Sequence, residues 1–275
     1  MNINAIETFL TVVRTGHLNR AAEQLNITQS AVTARLDALE KALGAKLLVR
    51  SRKGANLTKP GFAFLEQAEM IVRSWENARN STSLPRGMTR IFSLVCDPTL
   101  WTGLGATWLT DLRRAHVGTA FEVWAGLPAD ARKWLQSGMS DAALLPEPLS
   151  EPGIETRAFA TDRIVQVATH PRDAVSWDPD YVYVDYGPAI RIQHAEAWPG
   201  ENTAAASYSN PDWALAHLLS EGGSAYLPHD LVLDFIEGQR LFPVQGAPEF
   251  TRRSFLSWRE ASSAAFSWLA ASRES

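Results

Sequence analysis

Residues 9–61 decide the fold of the N-terminal part of the chain, and they read FLTVVRTGHLNRAAEQLNITQSAVTARLDALEKALGAKLLVRSRKGANLTKPG. Apolar residues recur there at helical spacing, and each recurrence stops at a residue that favours a turn. Gly16 can end the first helix, Asn26 lies in a brief turn, Thr28 can N-cap a third helix, and Gly44 can close it. The pattern therefore predicts three short helices, with a tight turn between the last two.

Each predicted helix has one apolar face that we expect to be buried. These faces consist of Ile6, Phe9, Leu10 and Val13, then Leu18, Ala21, Ala22 and Leu25, then Val32, Leu36, Leu39 and Leu43. After the third helix, residues 47–57 change from apolar to basic and contain a Gly54 turn. This change predicts a β-hairpin with cations at its tip.

The last two helices form a predicted helix-turn-helix, whose second helix can enter the major groove of DNA. Its exposed face carries amide and hydroxyl groups that can bond base edges, and the hairpin cations can hold phosphates. The predicted DNA-binding residues are Gln29, Ser30, Thr33 and Arg35 for bases, and Arg50, Arg52 and Lys53 for phosphates. The alternative is a plain three-helix packing unit with solvated polar side chains.

Charge is distributed unevenly along the chain. The 275 residues carry a net charge of −4. Residues 1–90, however, hold 13 Lys and Arg against 7 Asp and Glu, while the remainder is strongly acidic. A basic N-terminal part on an acidic body indicates that only this part approaches a polyanion such as double-stranded DNA.

Several short blocks of this stretch resemble the DNA-binding domain of LysR-type transcriptional regulators. The blocks are Ala21-Ala22-x-x-Leu25, Thr28-Gln29-Ser30-Ala31-Val32, Leu39-Glu40-x-x-Leu43-Gly44, Leu47-Leu48-x-Arg50 and Leu57-Thr58-x-x-Gly61. Within the family, Arg14-Thr-Gly-His17 and Trp75 are most similar to the flagellar-operon repressor subgroup. One departure is Ala34, since many members carry Arg or Lys at that position.

A long helix is predicted after the hairpin, with Thr58 as its cap and Pro60 in its first turn. Its apolar stripe consists of Phe62, Leu65, Ala68, Ile71, Val72 and Trp75, with Glu69 beside it. A buried core helix would carry the same stripe. The resemblance implies a dimerisation arm instead, and hence a homodimer or tetramer. We place a hinge at residues 81–87, where Pro and Gly occur.

The C-terminal part alternates predicted strands with predicted helices, which indicates an α/β unit with a mainly parallel sheet. The predicted strands are 91–96, 121–124, 141–145, 163–169, 181–184, 225–227 and 255–258, and the last predicted helix is 261–271. The resemblance implies a two-lobed, periplasmic-binding-protein-like effector domain. The expected class is an α+β multidomain protein, divided into a winged helix-turn-helix at 1–58, a linker helix at 59–88 and the effector domain at 91–275. Lobe 1 is expected at about 91–162 and 259–275, and lobe 2 at about 163–258.

Ligands of open α/β sheets bind at the carboxyl ends of strands. The candidate effector residues that the resemblance implies are Thr99, Trp101, Leu127, Pro146, Tyr186 and Ser207, and all of them except Ser207 lie at these strand ends. An effector there could be neutral or aromatic. The alternative is a ligand-independent repressor or architectural protein, whose cleft is plugged by side chains such as Trp101.

No catalytic motif, cofactor fingerprint or metal site is evident in the sequence, so we do not expect an enzyme. His194-Ala-Glu196 is spaced like a metal-binding pair, but no further ligand lies at a useful distance in sequence. The single cysteine, Cys96, lies in an apolar run and is expected in a buried core. No signal peptide or membrane-spanning run is evident, and the expected location is the cytoplasm.

Overall fold

The computed structural model describes residues 2–51, 54–82, 84, 87–174, 177–200 and 203–271. The chain divides into two compact units, residues 1–85 and residues 86–275. We refer to them as the N-terminal unit and the C-terminal unit.

The N-terminal unit begins with three helices and continues with a hairpin and a long helix. These elements are α1 (Ile3–Thr15), α2 (Leu18–Gln24), α3 (Gln29–Leu43), β1 (Leu48–Ser51), β2 (Gly54–Leu57) and α4 (Lys59–Thr82). The predicted helix ends are confirmed, because Gly16 and Gly44 adopt left-handed backbone at φ 70° and 66°. The Thr28 hydroxyl accepts the N–H of Ala31 at 3.2 Å, as expected of an N-cap.

A single apolar core joins these elements. Its members come from the three short helices, the hairpin and α4, and they include Ile6, Phe9, Val12, Ala21, Val32, Leu36, Leu39, Leu47 and Ala68. The rings of Phe9 and Phe64 lie 5.5 Å apart and attach α4 to α1. The prediction of a buried Leu43 is wrong, since this residue is 39 % exposed. It ends α3, one turn beyond Leu39, the last α3 residue in the core.

Only part of the predicted apolar stripe of α4 packs inside the N-terminal unit. Thr58 caps α4 as expected, because its hydroxyl accepts the N–H of Gly61 at 3.0 Å. The stripe residues that pack on the core are Leu65, Ala68, Ile71 and Val72. Phe62 and Trp75 are exposed instead. The inner part of the stripe therefore stabilises the fold, and its two ends remain available to a partner.

The C-terminal unit combines strands with short helices. Its strands are β3 (Arg90–Cys96), β4 (Thr119–Ala125), β5 (Ala142–Leu145), β6 (Ile154–Ala168), β7 (Tyr181–Val184), β8 (Ala206–Tyr208), β9 (Ser224–Pro228), β10 (Phe242–Pro243) and β11 (Phe250–Arg259). Its helices are α5 (Pro98–Leu100), α6 (Ala106–Ala115), α7 (Pro128–Ser137), α8 (Pro188–Ala197), α9 (Pro211–Glu221), α10 (His229–Glu237), α11 (Glu260–Ala265) and α12 (Trp268–Ala271). An irregular π-type turn, Trp101–Gly105, joins α5 to α6.

The strands form a mixed sheet in the order β4-β3-β5-β11-β6-β9-β7-β8, with β10 on β6. The expectation of a mainly parallel sheet is wrong in this respect. Strand β3 pairs in parallel with β4 and β5, and β7 pairs in parallel with β8 and β9. Strands β6 and β11, however, run antiparallel to each other and to their outer neighbours. This difference arises because both long strands cross from one parallel set to the other.

Apolar residues of the C-terminal unit gather at the two ends of these crossing strands. One group surrounds β3, β5 and α12 and includes Phe92 and Leu256, and another surrounds β7, β9 and α9 and includes Tyr181 and Phe250. We call the two ends lobe 1 and lobe 2. The single last helix predicted at 261–271 is wrong, because α11 and α12 are separate. Phe266 lies between them and turns into the lobe 1 core.

Among the residues described here, no helix is both long and apolar enough to span a membrane.

Candidate DNA-binding surface and effector cleft

The N-terminal end of α3 borders a groove of about 800 Å³ on the N-terminal unit. The residues that line it are His17, Leu18, Asn19, Arg20, Gln29, Thr33, Arg50 and Gly54. Gln29 and Ser30 are exposed, and the Ser30 hydroxyl lies 2.9 Å from that of Thr28. The structure thus brings the predicted Gln29 and Thr33 to one groove, with Ser30 beside them. Amide and hydroxyl groups presented in this way can bond base edges or phosphates.

Two of the predicted cations are engaged by other side chains. Arg35 is half-buried and donates to the hydroxyl of Thr8 on α1 at 3.3 Å, away from Gln29 and Thr33. Arg50 donates to Asp37 at 2.9 Å and lies 3.4 Å from a carboxylate oxygen of Glu40. Both contacts use the Nη2 nitrogen, so a phosphate bound by Arg50 would share the guanidinium with these carboxylates.

The two cations predicted for the hairpin tip, Arg52 and Lys53, lie outside the described residues.

Glu40 fixes the start of the hairpin beside α3. One carboxylate oxygen accepts the backbone N–H groups of Leu47 and Leu48 at 2.9 and 3.2 Å, and the other accepts from Lys46 at 2.7 Å. Burial raises the pKa of Glu40, but these hydrogen bonds outweigh burial and hold the pKa below its ordinary value. The carboxylate therefore positions both the hairpin and Arg50.

Sequence reasoning missed His17, Asn19 and Arg20, which line the same groove at the start of α2. A signal for them was present, because the first helix of a helix-turn-helix crosses the DNA backbone. Arg20 is exposed, and it forms no ion pair with any residue that the structure describes. It is a better placed phosphate ligand than Arg35.

A cavity of about 290 Å³ lies between the two lobes of the C-terminal unit. The residues that line it are Cys96, Pro98, Trp101, Val123, Trp124, Ala125, Asn210 and Asp212. Thr102, next to Trp101 in lobe 1, places its hydroxyl 2.9 and 2.8 Å from the two carboxylate oxygens of Asp212 in lobe 2. This hydrogen bond joins the lobes at the edge of the cavity.

A buried arginine lies where the crossing strands meet. Arg252 of β11 stands opposite Asp162 of β6 and donates to both carboxylate oxygens, at 3.0 and 2.5 Å. It also donates to the backbone carbonyl of Thr99 at 2.9 Å, and its guanidinium lies 5.1 Å from the ring centre of Tyr186. Arg252 therefore connects its own strand, β11, to β6 and to α5.

The six candidate effector residues do not all share one cavity. Trp101 lines the cavity between the lobes, whereas Thr99 is buried with its hydroxyl donating to Asp97 at 2.7 Å. Tyr186 is buried and donates to the backbone carbonyl of Tyr226 at 3.0 Å. Thr99 and Tyr186 are therefore engaged within the packed interior and are not among the residues that line the cavity.

The other three candidates lie elsewhere. Leu127 is exposed at the start of α7, and Pro146 is half-buried at the end of β5. Ser207 lines a separate cavity of about 390 Å³ in lobe 2, together with Tyr183 and His194. Sequence reasoning in turn missed Trp124, Asn210 and Asp212 of the cavity between the lobes. The Asn-Pro-Asp start of α9 was the available signal.

Of the residues considered for metal or redox chemistry, Cys96 and His194 are buried, whereas Glu196 is exposed. Burial raises the pKa of Cys96 to about 12, so its thiol stays protonated at neutral pH. His194 lies 2.9 Å from the hydroxyl of Tyr181, and burial lowers its pKa. Among the residues that the structure describes, no group of three or more His, Cys, Asp or Glu is arranged to hold a metal ion.

A winged helix-turn-helix unit and a two-lobed unit with a cavity between its lobes define a ligand-responsive DNA-binding regulator. Sequence comparison agrees with this class. The family profile described as "Bacterial regulatory helix-turn-helix protein, lysR family" matches residues 3–62. The profile "LysR substrate binding domain" matches residues 85–273. The chain therefore belongs to the LysR family of transcription regulators, which are not enzymes.

Individual relatives agree with this assignment. The HTH-type transcriptional regulator HdfR of Shigella boydii serotype 18 is 27 % identical over 231 residues, covering 83 % of this chain and 82 % of its own. HdfR is a flagellar-operon regulator, which confirms the predicted subgroup resemblance. The solved structure of CbnR, a LysR family regulator, has a TM-score of 0.70 at 20 % identity, covering 94 % of this chain and 93 % of its own.

The fold is also shared with Vibrio fischeri DarR, which was solved in complex with DNA. Its TM-score is 0.58 at 20 % identity, and the match covers 98 % of both chains.

Proposed function

We propose that this chain recognises a partly palindromic double-stranded DNA site as a homodimer or tetramer, with the N-terminal end of α3 in the major groove. Gln29, Ser30 and Thr33 bond base edges or nearby phosphates, and Arg20 neutralises a phosphate. The exposed ends of the α4 stripe, Phe62 and Trp75, contribute to the contact between copies. Two-fold symmetry of the protein then matches a two-fold repeat in the DNA.

One observation carries the proposal for DNA. The groove at the start of α3 combines an exposed amide (Gln29), a hydroxyl (Thr33) and an exposed cation (Arg20). Such groups fit a ligand that displays hydrogen-bonding base edges between phosphates. The fold shared with DarR, solved in complex with DNA, supports the same partner. Because DNA is the partner, we place the protein in the cytoplasm.

The cavity between the lobes is the proposed effector site. Trp101 lines this cavity and leaves about 290 Å³ open, which favours a ligand-responsive regulator over the alternative with a plugged cleft. An effector that binds one arrangement of the lobes more tightly than another shifts the protein toward that arrangement. DNA binding then depends on effector concentration.

The proposal is tested by selecting genomic fragments with the purified full-length protein and titrating the best fragment at two salt concentrations. We expect a recurrent, partly palindromic site and a steep salt dependence. Gln29→Ala should cost about 1–3 kcal/mol and relax the preference at one base-pair position. Arg20→Ala should weaken binding to all sequences and reduce the salt slope by about 1.

A matched control is Arg113→Ala, which removes an exposed cation from α6 of the C-terminal unit. The DNA affinity and the salt slope of this variant should equal those of the wild type. Equal affinity of the wild type for the selected fragment and a shuffled fragment would contradict sequence recognition. An Arg113→Ala effect as large as that of Arg20→Ala would show that the groove is not the contact surface.

A further inference from the structure

The charge of the cavity between the lobes points to the chemistry of its ligand. Asp212 is the charged residue among those lining this cavity. Its carboxylate receives the single hydroxyl hydrogen of Thr102, and an ionised carboxylate can accept about four hydrogen bonds. Among the described residues, the structure records no ion pair for Asp212. The carboxylate therefore keeps acceptor capacity and an unneutralised charge at the cavity wall.

The positive groups near this cavity are already neutralised. Arg252, behind it, is 3 % exposed at its side chain and forms a two-point ion pair with Asp162. The N-terminus of α9 is also satisfied, since the Asn210 side chain accepts the backbone N–H groups of Asp212 and Trp213 at 2.8 and 3.3 Å. Among the described residues that line this cavity no side chain is cationic, so an anionic ligand would meet the Asp212 carboxylate without a counter-charge.

The indole rings of two tryptophans also line the cavity. Trp101 is half-buried in its wall, and Trp124 is 46 % exposed, so part of each side chain is accessible to a ligand. The faces of indole rings attract cations as well as apolar groups. The Cys96 thiol adds no charge, because burial raises its pKa to about 12.

We propose that the effector is a small organic amine with an aromatic or apolar body, whose ammonium group binds Asp212 while Trp101 and Trp124 hold the body. This inference rests on the proposed function of the cavity as an effector site. Its volume of about 290 Å³ lies at the lower end for ligand pockets, which limits the ligand to a small molecule. The ammonium group and the Thr102 hydroxyl then share the Asp212 carboxylate, so the ligand binds at the group that joins the lobes.

Three probes of nearly the same shape test this chemistry on the full-length protein. They are 2-phenylethylamine, 2-phenylethanol and 3-phenylpropionate, which are cationic, neutral and anionic at neutral pH. Binding is measured by titration calorimetry and by quenching of tryptophan fluorescence. We expect the amine to bind best, at least about tenfold tighter than the alcohol and tighter still than the carboxylate, because only the amine can form an ion pair with Asp212, whereas the alcohol can donate a hydrogen bond without bringing a positive charge.

Variants assign the effect to individual residues. Asp212→Asn should weaken amine binding by about tenfold or more and should weaken alcohol binding much less, because the amide oxygen of Asn can still accept a hydrogen bond from a hydroxyl. Trp124→Leu should weaken both. Asp234→Asn, at an exposed position on α10, is the matched control and should bind the amine like the wild type. Thermal unfolding of each variant checks that the C-terminal unit remains folded.

Equal or tighter binding of the alcohol or the carboxylate would overturn the proposal, as would failure of the amine to bind. An unchanged amine affinity in a folded Asp212→Asn variant would also overturn it. The same protein samples are also titrated with the selected DNA fragment, so that failure of the ligand proposal can be distinguished from failure of the proposed DNA-binding function. Normal DNA binding with no amine preference refutes only the ligand class, whereas loss of sequence recognition by the wild type refutes the DNA proposal itself.

Discussion

At the scale of single residues, the buried carboxylate of Glu40 has the largest local influence in the N-terminal unit. Its side chain is 4 % exposed and receives hydrogen bonds from two backbone N–H groups, Leu47 and Leu48. Buried donors that lose their acceptor cannot regain water, so removal of the carboxylate is more costly than removal of an exposed acid.

We expect Glu40→Ala to lower the free energy of unfolding of the N-terminal unit by about 1–3 kcal/mol. Glu40→Gln should cost less, because its amide oxygen can still accept one of the N–H groups. Urea unfolding combined with amide hydrogen exchange in α1 and α3 measures the loss of stability in both variants. Glu23→Gln removes an exposed acid of α2 and is the matched control, with an expected change near zero. A Glu40→Ala loss no larger than that of the control would contradict this account.

The same residue gives the N-terminal unit a pH dependence. The folded pKa of Glu40 lies below its ordinary value, so its charge stabilises the folded state above the unfolded pKa of about 4.3. This contribution disappears as the pH falls through the lower, folded pKa. The stability difference between wild type and Glu40→Gln should therefore be constant at neutral pH and shrink below about pH 4. A difference that grows on acidification would contradict the assigned pKa direction.

At the scale of elements, α4 packs against the hairpin through a backbone contact at Gly61. A Cβ atom added there would lie 2.1 Å from the carbonyl oxygen of Leu47, which itself accepts the N–H of Thr58 at 2.9 Å. Because the neighbour is backbone, it cannot move aside as a flexible side chain would. The absence of a side chain at Gly61 is therefore a condition for docking α4 beside β1.

Gly61→Ala should accordingly destabilise the N-terminal unit by about 3 kcal/mol, at the upper end of the cost of overpacking. It should also accelerate hydrogen exchange at the Thr58 N–H. Gly44→Ala is the comparison, since its φ of 66° is strained for alanine but nothing lies within 4 Å of the added Cβ. That variant should cost about 1 kcal/mol and leave Thr58 protected. Equal exchange at Thr58 in both variants would contradict the docking argument.

At the scale of the C-terminal unit as a whole, Arg252 links the two lobes. Its partner Asp162 faces it across the crossing strands β6 and β11, and its third contact is α5. The Asp162 side chain is 19 % exposed and the Arg252 side chain 3 % exposed. Removal of the guanidinium therefore leaves a largely buried carboxylate without a counter-charge.

Arg252→Ala should lower the free energy of unfolding of the C-terminal unit by about 3–5 kcal/mol. The neighbouring Arg253→Ala is a matched control. Arg253 is exposed, with its guanidinium 5.5 Å from the ring of Phe255, and its loss should cost less than about 1 kcal/mol. Chemical unfolding followed by tryptophan fluorescence compares the two. Similar losses in both variants would show that the buried pair does not hold the lobes together.

Local patterns in the amino-acid sequence were sufficient to predict the helices and hairpin of the N-terminal unit and to identify the family. Gly16, Thr28, Gly44 and Thr58 act within a few residues of their own position, because caps bond backbone groups in the adjacent turn. Apolar spacing is equally local, so the short helices, the hairpin and most of the core were predictable. The exposure of Leu43 was not predictable, since the burial of a residue at a helix end depends on how far the neighbouring elements extend along that helix.

Tertiary contacts, in contrast, determine which polar side chains remain available to bind a ligand and which residues line the cavity between the lobes. Arg50 meets Asp37 through the docking of the hairpin on α3, and Thr102 meets Asp212 across 110 residues of chain. The antiparallel crossing of β6 and β11 is likewise absent from any local pattern. The physical reason is that hydrogen bonds and ion pairs between distant residues depend on chain crossovers, whereas periodicity and caps report only the adjacent turns.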